Sequence, residues 1–218
     1  MSIKKMILIF IPALLVVGFA LFIQVLRYEP LFPKKNTSSS DGEKPPEFSI
    51  PFSITDPIIG QKRAGKTIVA FEDFGCHRCK QYDEILTQLV AKHPNAIKII
   101  WKGLPVTRFP YPSELALKYG FCAHSQKKFT EFKNQAFILN DQLSDATLKK
   151  IAVDIALDST DLEKCLAAPA TENYIFQNKN LALQLNIQAV PTFFVDNKQV
   201  EEAETVEGWA DILAIKSN

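Results

Sequence analysis

The stretch "FEDFGCHRCK" (residues 71–80) sets Cys76 and Cys79 with two residues, His77 and Arg78, between them. That spacing has three common origins: half of a zinc site, a redox-active dithiol, or a chance pair in a core. The surrounding sequence decides among them. Upstream, "KTIVAFEDF" (66–74) is rich in β-branched and aromatic residues and ends at Gly75, which predicts a buried strand. Downstream, Tyr82, Ile85, Leu86, Leu89 and Val90 recur at helical spacing, and His93-Pro94 stops that helix. "AIKIIW" (96–101) reads as a second strand. Strand, Cys-x-x-Cys, helix, strand makes a βαβ unit.

Beyond it the pattern changes. Pro112 and Ser113 open a helix with Leu115, Tyr119 and Cys122 on one face, and Phe129, Phe132, Phe137 and Ile138 continue an amphipathic pattern. Ser144 reads as an N-cap, and Thr160 with Glu163 matches a capping box. The segment of about 112–186 is therefore expected to be all-helical. "AVPTFFVDNKQV" (189–200) reads as strand, turn, strand, with Asp196-Asn197 at the turn. A last helix near 206–216 buries Val206, Trp209, Ile212 and Leu213. Trp101 and Trp209 are assigned to the core, and His93 and His124 to the surface at helix ends.

The 218 residues are 47% apolar and 22% charged, with a formal net charge of +1. That is ordinary globular composition, and nothing in it points to nucleic acid. No P-loop or GxGxxG is present, so no nucleotide cofactor is expected. Residues 6–26, "MILIFIPALLVVGFALFIQVL", hold one strongly polar residue, Gln24. At helical rise such a run spans roughly 30 Å, and it is longer than the apolar part of a cleaved signal peptide. It is read as a single transmembrane signal-anchor, with residues 1–5 cytoplasmic. Residues 27–47, which include "KKNTSSSDGEKPPE" (34–47), form a flexible linker, and the folded domain spans 48–218. The expected localisation is the cell membrane, single-pass, with the domain on the extracytoplasmic side.

A structural zinc site needs four ligands. Cys122 and Cys165 each stand alone in the sequence, and His77, His93 and His124 form no HxxxH, so no metal is expected. A Cys-x-x-Cys at the strand-to-helix junction of a βαβ unit is instead the redox signature. Cys76 would sit at a helix N-terminus, where unsatisfied backbone N–H groups stabilise a thiolate. His77 and Arg78 would add positive character. Both effects lower the pKa of Cys76, and a stabilised thiolate makes the disulfide a stronger oxidant.

With "FEDFGCHRC" (71–79), the helical insertion, "VPT" (190–192) before the final hairpin and the terminal helix in view, the chain resembles the DsbA-like branch of the thioredoxin superfamily over residues 54–218. The resemblance implies a thioredoxin-like α/β fold with an all-helical insertion, here behind one transmembrane helix. It implies Cys76 as the exposed catalytic cysteine and Cys79 as the buried one. It also implies a cis Val190–Pro191 bond beside them, with Val190, Pro191 and Thr192 facing an extended substrate peptide. Many relatives carry a buried acid six residues before the first cysteine, where this chain has Ala70. Glu72, two residues on, either takes over proton handling or is solvated at the strand end. Cys122 and Cys165 resemble the second, non-catalytic disulfide of some relatives; two buried free thiols are the other reading.

The expected function is that of a protein thiol:disulfide oxidoreductase without a cofactor, running as a dithiol oxidase on cysteine-containing exported proteins. The resemblance implies a membrane reoxidase of the DsbB or VKOR type as its partner. A reductase or isomerase on the same fold, and a Cys-x-x-Cys module binding Cu(I) or peptide, are the alternatives.

Overall fold

The computed structural model describes residues 49–215 and, before them, only Val17 and Phe19. Its elements follow in chain order as β1 (Ile58–Gly60), β2 (Lys66–Glu72), α1 (His77–Lys92), β3 (Ile97–Gly103), α2 (Glu114–Ser125), α3 (Phe129–Ile138), α4 (Asp145–Asp154), α5 (Ser159–Ala167), α6 (Pro169–Gln184), β4 (Thr192–Val195), β5 (Lys198–Val200) and α7 (Val206–Ile212). The expected βαβ unit, helical insertion and ββα unit are all present. β1 is an addition, since three residues are too few for alternation to register in the sequence.

The strands form one mixed sheet in the order β1-β3-β2-β4-β5. β2 lies at its centre, parallel to β3 and antiparallel to β4, with Ala70 opposite Trp101 on one side and Phe193 on the other. Successive β2 side chains serve opposite faces. Ile68 and Ala70 pack with Tyr82, Leu86, Leu89 and Trp209, beneath α1 and α7. Val69 and Phe71 pack with Ile100, Leu181 and Phe194, against α6. A strand buried on both faces reads as a continuous apolar run, as this one does.

Local chemistry fixes the boundaries. The α1 helix ends at His93, whose N–H still reaches Leu89 O, just before Pro94. Asp196 and Asn197 both have positive φ (50° and 62°), the conformation a two-residue hairpin requires and Asx residues tolerate. Gly60 has a φ of +90°, and a Cβ there would lie 2.7 Å from Ile97 O, so the edge strand passes β3 only as glycine. Ser144 caps α4 through Thr147 N, as expected. Thr160 does not cap α5: it lies inside that helix, and Asp158 is the cap, accepting from Asp161 N at 2.8 Å. Asp158 precedes the helix where its carboxylate can reach the third turn residue, and it takes the role before Thr160 is reached.

The helices of the insertion enclose a core of their own, which includes Phe74, Trp101, Phe129, Phe132 and Phe137. Phe74 stacks on Trp101 with centroids 4.8 Å apart and meets Phe132 and Phe137 edge-on. Phe74 lies in the turn after β2, two residues before Cys76, so the Cys-x-x-Cys turn is packed directly into the insertion.

The anchor expected over 6–26, the segment 1–5 and the linker 27–47 lie outside the described residues, apart from Val17 and Phe19. The membrane localisation drawn from them is corrected: among the described residues no helix is long and apolar enough to cross a membrane.

Cys122 on α2 and Cys165 on α5 are bonded, with Cα atoms 5.7 Å apart and a sequence separation of 43. Closing a loop of that length removes unfolded-state entropy worth about 4 kcal/mol on the chain-entropy model. Replacing both with alanine is expected to lower the thermal midpoint by roughly 10 °C, with thiol exchange at Cys76 retained. Calorimetry and a glutathione exchange assay on the variant check both parts.

Candidate redox site

β2 ends at Glu72 and the chain turns through Asp73–Gly75 before α1 begins. Cys76 N donates to Asp73 O at 3.1 Å, closing the turn. Cys76 is then the N-cap of α1, in extended conformation (φ −91°, ψ 121°). Its Sγ takes the place of a capping oxygen and accepts from Cys79 N at 3.3 Å. A helix N-terminus leaves its first N–H groups without partners, and here a sulfur meets one of them. From the other side, Val190 O lies 3.7 Å from the same sulfur. Val190 is half-buried, Pro191 and Thr192 are buried, and the Val190–Pro191 bond is cis. Thr192 Oγ1 donates to Ala189 O at 2.7 Å, fixing the approach of this segment to β4.

The two thiols sit in opposite environments. Cys76 is half-exposed, and its pKa is lowered from 9.0 to about 7. The hydrogen bond from the Cys79 side chain does most of this, followed by the backbone N–H groups of Cys79 and Arg78; partial burial and the Asp73 charge oppose it. Cys79 is fully buried. Burial, then its bond to Cys76 and the charge of Glu72, push its thiol far above the ordinary range. Asp73 N donates to Cys79 Sγ at 3.4 Å and works weakly the other way.

Glu72 is not solvated: it is 1% exposed. Its Oε2 accepts from Trp101 Nε1 at 2.7 Å, while Oε1 has no hydrogen-bond partner among the described residues. Burial first, and then the Asp83 carboxylate, raise its pKa well above the carboxylate range; Lys133 and the Trp101 bond pull it down without reversing the direction. Asp83 on α1 and Lys133 on α3 form a buried ion pair in which Lys133 Nζ reaches both carboxylate oxygens at 2.6 Å. Sequence reasoning missed this pair and Asp73. The available signal was a charge inside an apolar stripe: Asp83 among Cys79, Tyr82, Leu86 and Leu89, and Lys133 among Phe129, Phe132, Ala136 and Phe137.

The basic pair plays a smaller part than expected. Arg78 acts on Cys76 chiefly through its backbone N–H, and its charge interacts with the sulfur only weakly. Its guanidinium is turned toward Glu202 at 3.6 Å and the Tyr82 ring at 5.8 Å, with 61% of the side chain exposed. His77 is exposed, with Nδ1 3.3 Å from Asn140 Nδ2. The structure thus gathers Cys76, Cys79, Glu72 and the Val190–Thr192 segment, leaves His77 and Arg78 on the rim, and keeps Cys122 and Cys165 within the insertion. Among the described residues, no three His, Cys, Asp or Glu side chains are grouped as a metal ion would require.

A family model described as Thioredoxin matches residues 53–214. The catalytic domain of Proteus mirabilis ScsC is similar in structure, with a TM-score of 0.66, 20% identity, and 76% of this chain and 90% of that one covered. So is the thiol-disulfide exchange protein α-DsbA2 from Wolbachia pipientis, with a TM-score of 0.66, 21% identity, and coverage of 74% and 87%. At these identities the likeness is one of fold. Among curated proteins, the Na(+)/H(+) antiporter NhaA 3 of Salinispora tropica is 26% identical over 144 residues, 66% of this chain but 22% of the antiporter. The chain therefore spans about a fifth of the length of the curated relatives it matches.

Alkylation of the reduced chain by iodoacetamide is expected to follow the Cys76 thiolate. Its rate should be half-maximal near pH 7, fall about tenfold per unit below that, and level off above it. The midpoint should stay within about half a unit in His77→Ser/Arg78→Ser, because the backbone donors remain. An upward shift of a full unit would return the tuning role to the two cations.

Proposed function

Because the chain belongs to the thioredoxin family, we propose that it is a thiol:disulfide oxidoreductase that exchanges disulfides with cysteine-containing proteins through Cys76 and Cys79. One observation carries this reading: two thiols three residues apart have opposite proton affinities, Cys76 lowered to about 7 and Cys79 raised far above it. A thiol with a pKa near ambient pH is both an effective nucleophile and an effective leaving group. A fully buried thiol is neither until its partner brings a disulfide to it.

In the oxidase direction, a substrate thiolate attacks Cys76 of the Cys76–Cys79 disulfide. The S–S bond breaks toward Cys79, whose sulfur leaves with the electron pair. That anion is deeply buried, and a proton must reach it. Glu72, with a free Oε1 and a raised pKa, supports the reading that it hands over the proton and takes it back when Cys79 is next oxidised. A second substrate thiolate then attacks the substrate sulfur of the mixed disulfide and expels the Cys76 thiolate. The substrate leaves oxidised by two electrons, and the protein is left as a dithiol. Cysteine-containing exported proteins are the substrates on this reading, and a reoxidase of the DsbB or VKOR type returns the dithiol to the disulfide. The position of Val190 O, 3.7 Å from Cys76 Sγ, supports the reading that it accepts a backbone N–H from a bound peptide.

The lowered Cys76 pKa favours the oxidase direction, since a stabilised thiolate favours the reduced form. That the pKa stops near 7 favours a second reading, a reductase, because the most oxidising dithiols have pKa values several units lower.

Cys79→Ser is expected to accumulate mixed disulfides with client proteins through Cys76, because the resolving thiol is gone. Cys76→Ser should accumulate few, since Cys79 is buried. Non-reducing gels and mass spectrometry of the trapped adducts read the result. Equal trapping by both variants would contradict the assignment of the two roles.

A further inference from the structure

Asp73 lies between the strand that ends at Glu72 and the turn that leads to Cys76, and it is 2% exposed. Its carboxylate is satisfied from two directions. Oδ1 accepts from Gly75 N at 2.9 Å, within its own turn. Oδ2 accepts from three donors of the loop joining β3 to α2: Val106 N at 2.8 Å, Thr107 N at 2.6 Å and Ser113 Oγ at 2.9 Å. Ser113 N also donates to Thr107 O at 3.1 Å, so the loop is closed on itself where the carboxylate holds it. Hydrogen bonds to a charged acceptor are the stronger kind, and each N–H left unpaired in a buried place is costly.

A second observation concerns the same contact. A Cβ on Gly75 would lie 2.7 Å from Thr107 Cγ2 and 2.8 Å from Thr107 Cβ. The loop therefore rests on the residue next to Cys76, and Gly75 is small because Thr107 occupies the space. On the backbone side, Asp73 N is the donor to Cys79 Sγ. One residue thus touches the buried sulfur with its amide and the neighbouring loop with its carboxylate.

We infer that Asp73 is a positioning residue for disulfide exchange: its carboxylate pins the β3–α2 loop onto Gly75 and so fixes one wall of the cleft in which Cys76 meets a peptide. This rests on the proposed exchange reaction at Cys76. A small thiol needs only the sulfur of Cys76, whereas on this proposal an extended peptide also meets Val190, beside that sulfur, and the loop that Thr107 seats on Gly75. Asparagine in place of Asp73 keeps the volume but has one uncharged acceptor oxygen, so whichever way it turns its NH₂ faces an N–H or O–H donor, and the pin is weakened without a cavity.

The test compares the full chain with Asp73→Asn and with Ser113→Ala, which removes one donor and leaves the carboxylate. Two reactions are followed, oxidation of a reduced dithiol peptide and exchange with glutathione. Asp73→Asn should lower kcat/KM for the peptide by about tenfold or more, as misplacement near a reacting centre does, while the rate of exchange with glutathione changes less than about threefold. Ser113→Ala should lose activity in the same direction but to a smaller extent. A merely structural role would reduce both reactions together, in proportion to the folded fraction, and would overturn the proposal. An unchanged peptide rate in Asp73→Asn would overturn it as well. If Asp73→Asn does not fold, Ser113→Ala and amide hydrogen exchange of the unaltered chain decide: Val106 and Thr107 N–H should be protected, and exchange at the rate of a free loop would overturn the pin. If the unaltered chain itself exchanges with neither glutathione nor peptide, the oxidoreductase reading fails, and with it the role inferred for Asp73.

Discussion

The Cys79 amide donates to Cys76 Sγ across 3.3 Å, and much of the domain serves to keep that donor aimed. The bond exists because α1 begins at His77, which leaves its first N–H groups facing back along the axis toward the preceding residue. α1 begins there because β2 ends at Glu72 and Asp73 closes the turn. β2 cannot shift, since it is the central strand, bonded to β3 and β4 and buried on both faces. The same pairing with β4 brings Val190 O to the other side of the sulfur. A half-exposed thiol thereby gains fixed dipoles that water would have to reorient to supply.

Beneath that bond lies a second constraint, which is electrostatic. Glu72, Asp83 and Lys133 are all buried, in a region otherwise filled by Phe74, Trp101, Phe132 and Phe137. Removing one partner of a buried ion pair typically costs about 3–5 kcal/mol, because the other charge is stranded. Exposed pairs such as Lys149–Asp145 are screened by solvent and contribute little. The Lys133–Asp83 pair therefore matters far more than the surface pairs, and it fastens α3 of the insertion to the redox helix. An apolar replacement would serve stability at least as well. On the proposed exchange reaction, the pair sets fixed charges near Glu72 and Cys79, whose thiol would gain and lose a proton in each cycle.

The elements legible in the sequence were those whose signal is periodic. β2 and β3 are apolar runs bounded by turn residues, α1 carries Tyr82, Leu86 and Leu89 on one stripe, and Asp196-Asn197 supplies the φ values of the hairpin turn. The Cys-x-x-Cys was legible because its position at a strand-to-helix junction is itself a local property. What escaped was non-local. β1 exists only by pairing with β3. Glu72 reads as solvated or buried with equal ease until Trp101 and the insertion close over it. Asp73 reads as an ordinary turn residue, and its role appears only when residues 33 to 40 positions downstream fold onto its carboxylate. Arg78 looked like a tuning charge because it sits between the cysteines, but the helix turns its side chain toward Glu202, 124 positions away in sequence. Spacing along the chain fixes where a backbone N–H points far better than where a long side chain ends.

The most direct test of the thiolate-centred account is the reduction potential of the Cys76–Cys79 couple, measured on the full chain against a graded glutathione buffer. A thiolate stabilised by the Cys79 thiol and amide favours the dithiol, and the account predicts a couple more oxidising than that of thioredoxin, above about −270 mV. A value at or below about −270 mV, in the range of thioredoxin, would contradict the oxidase direction and assign the site to disulfide reduction.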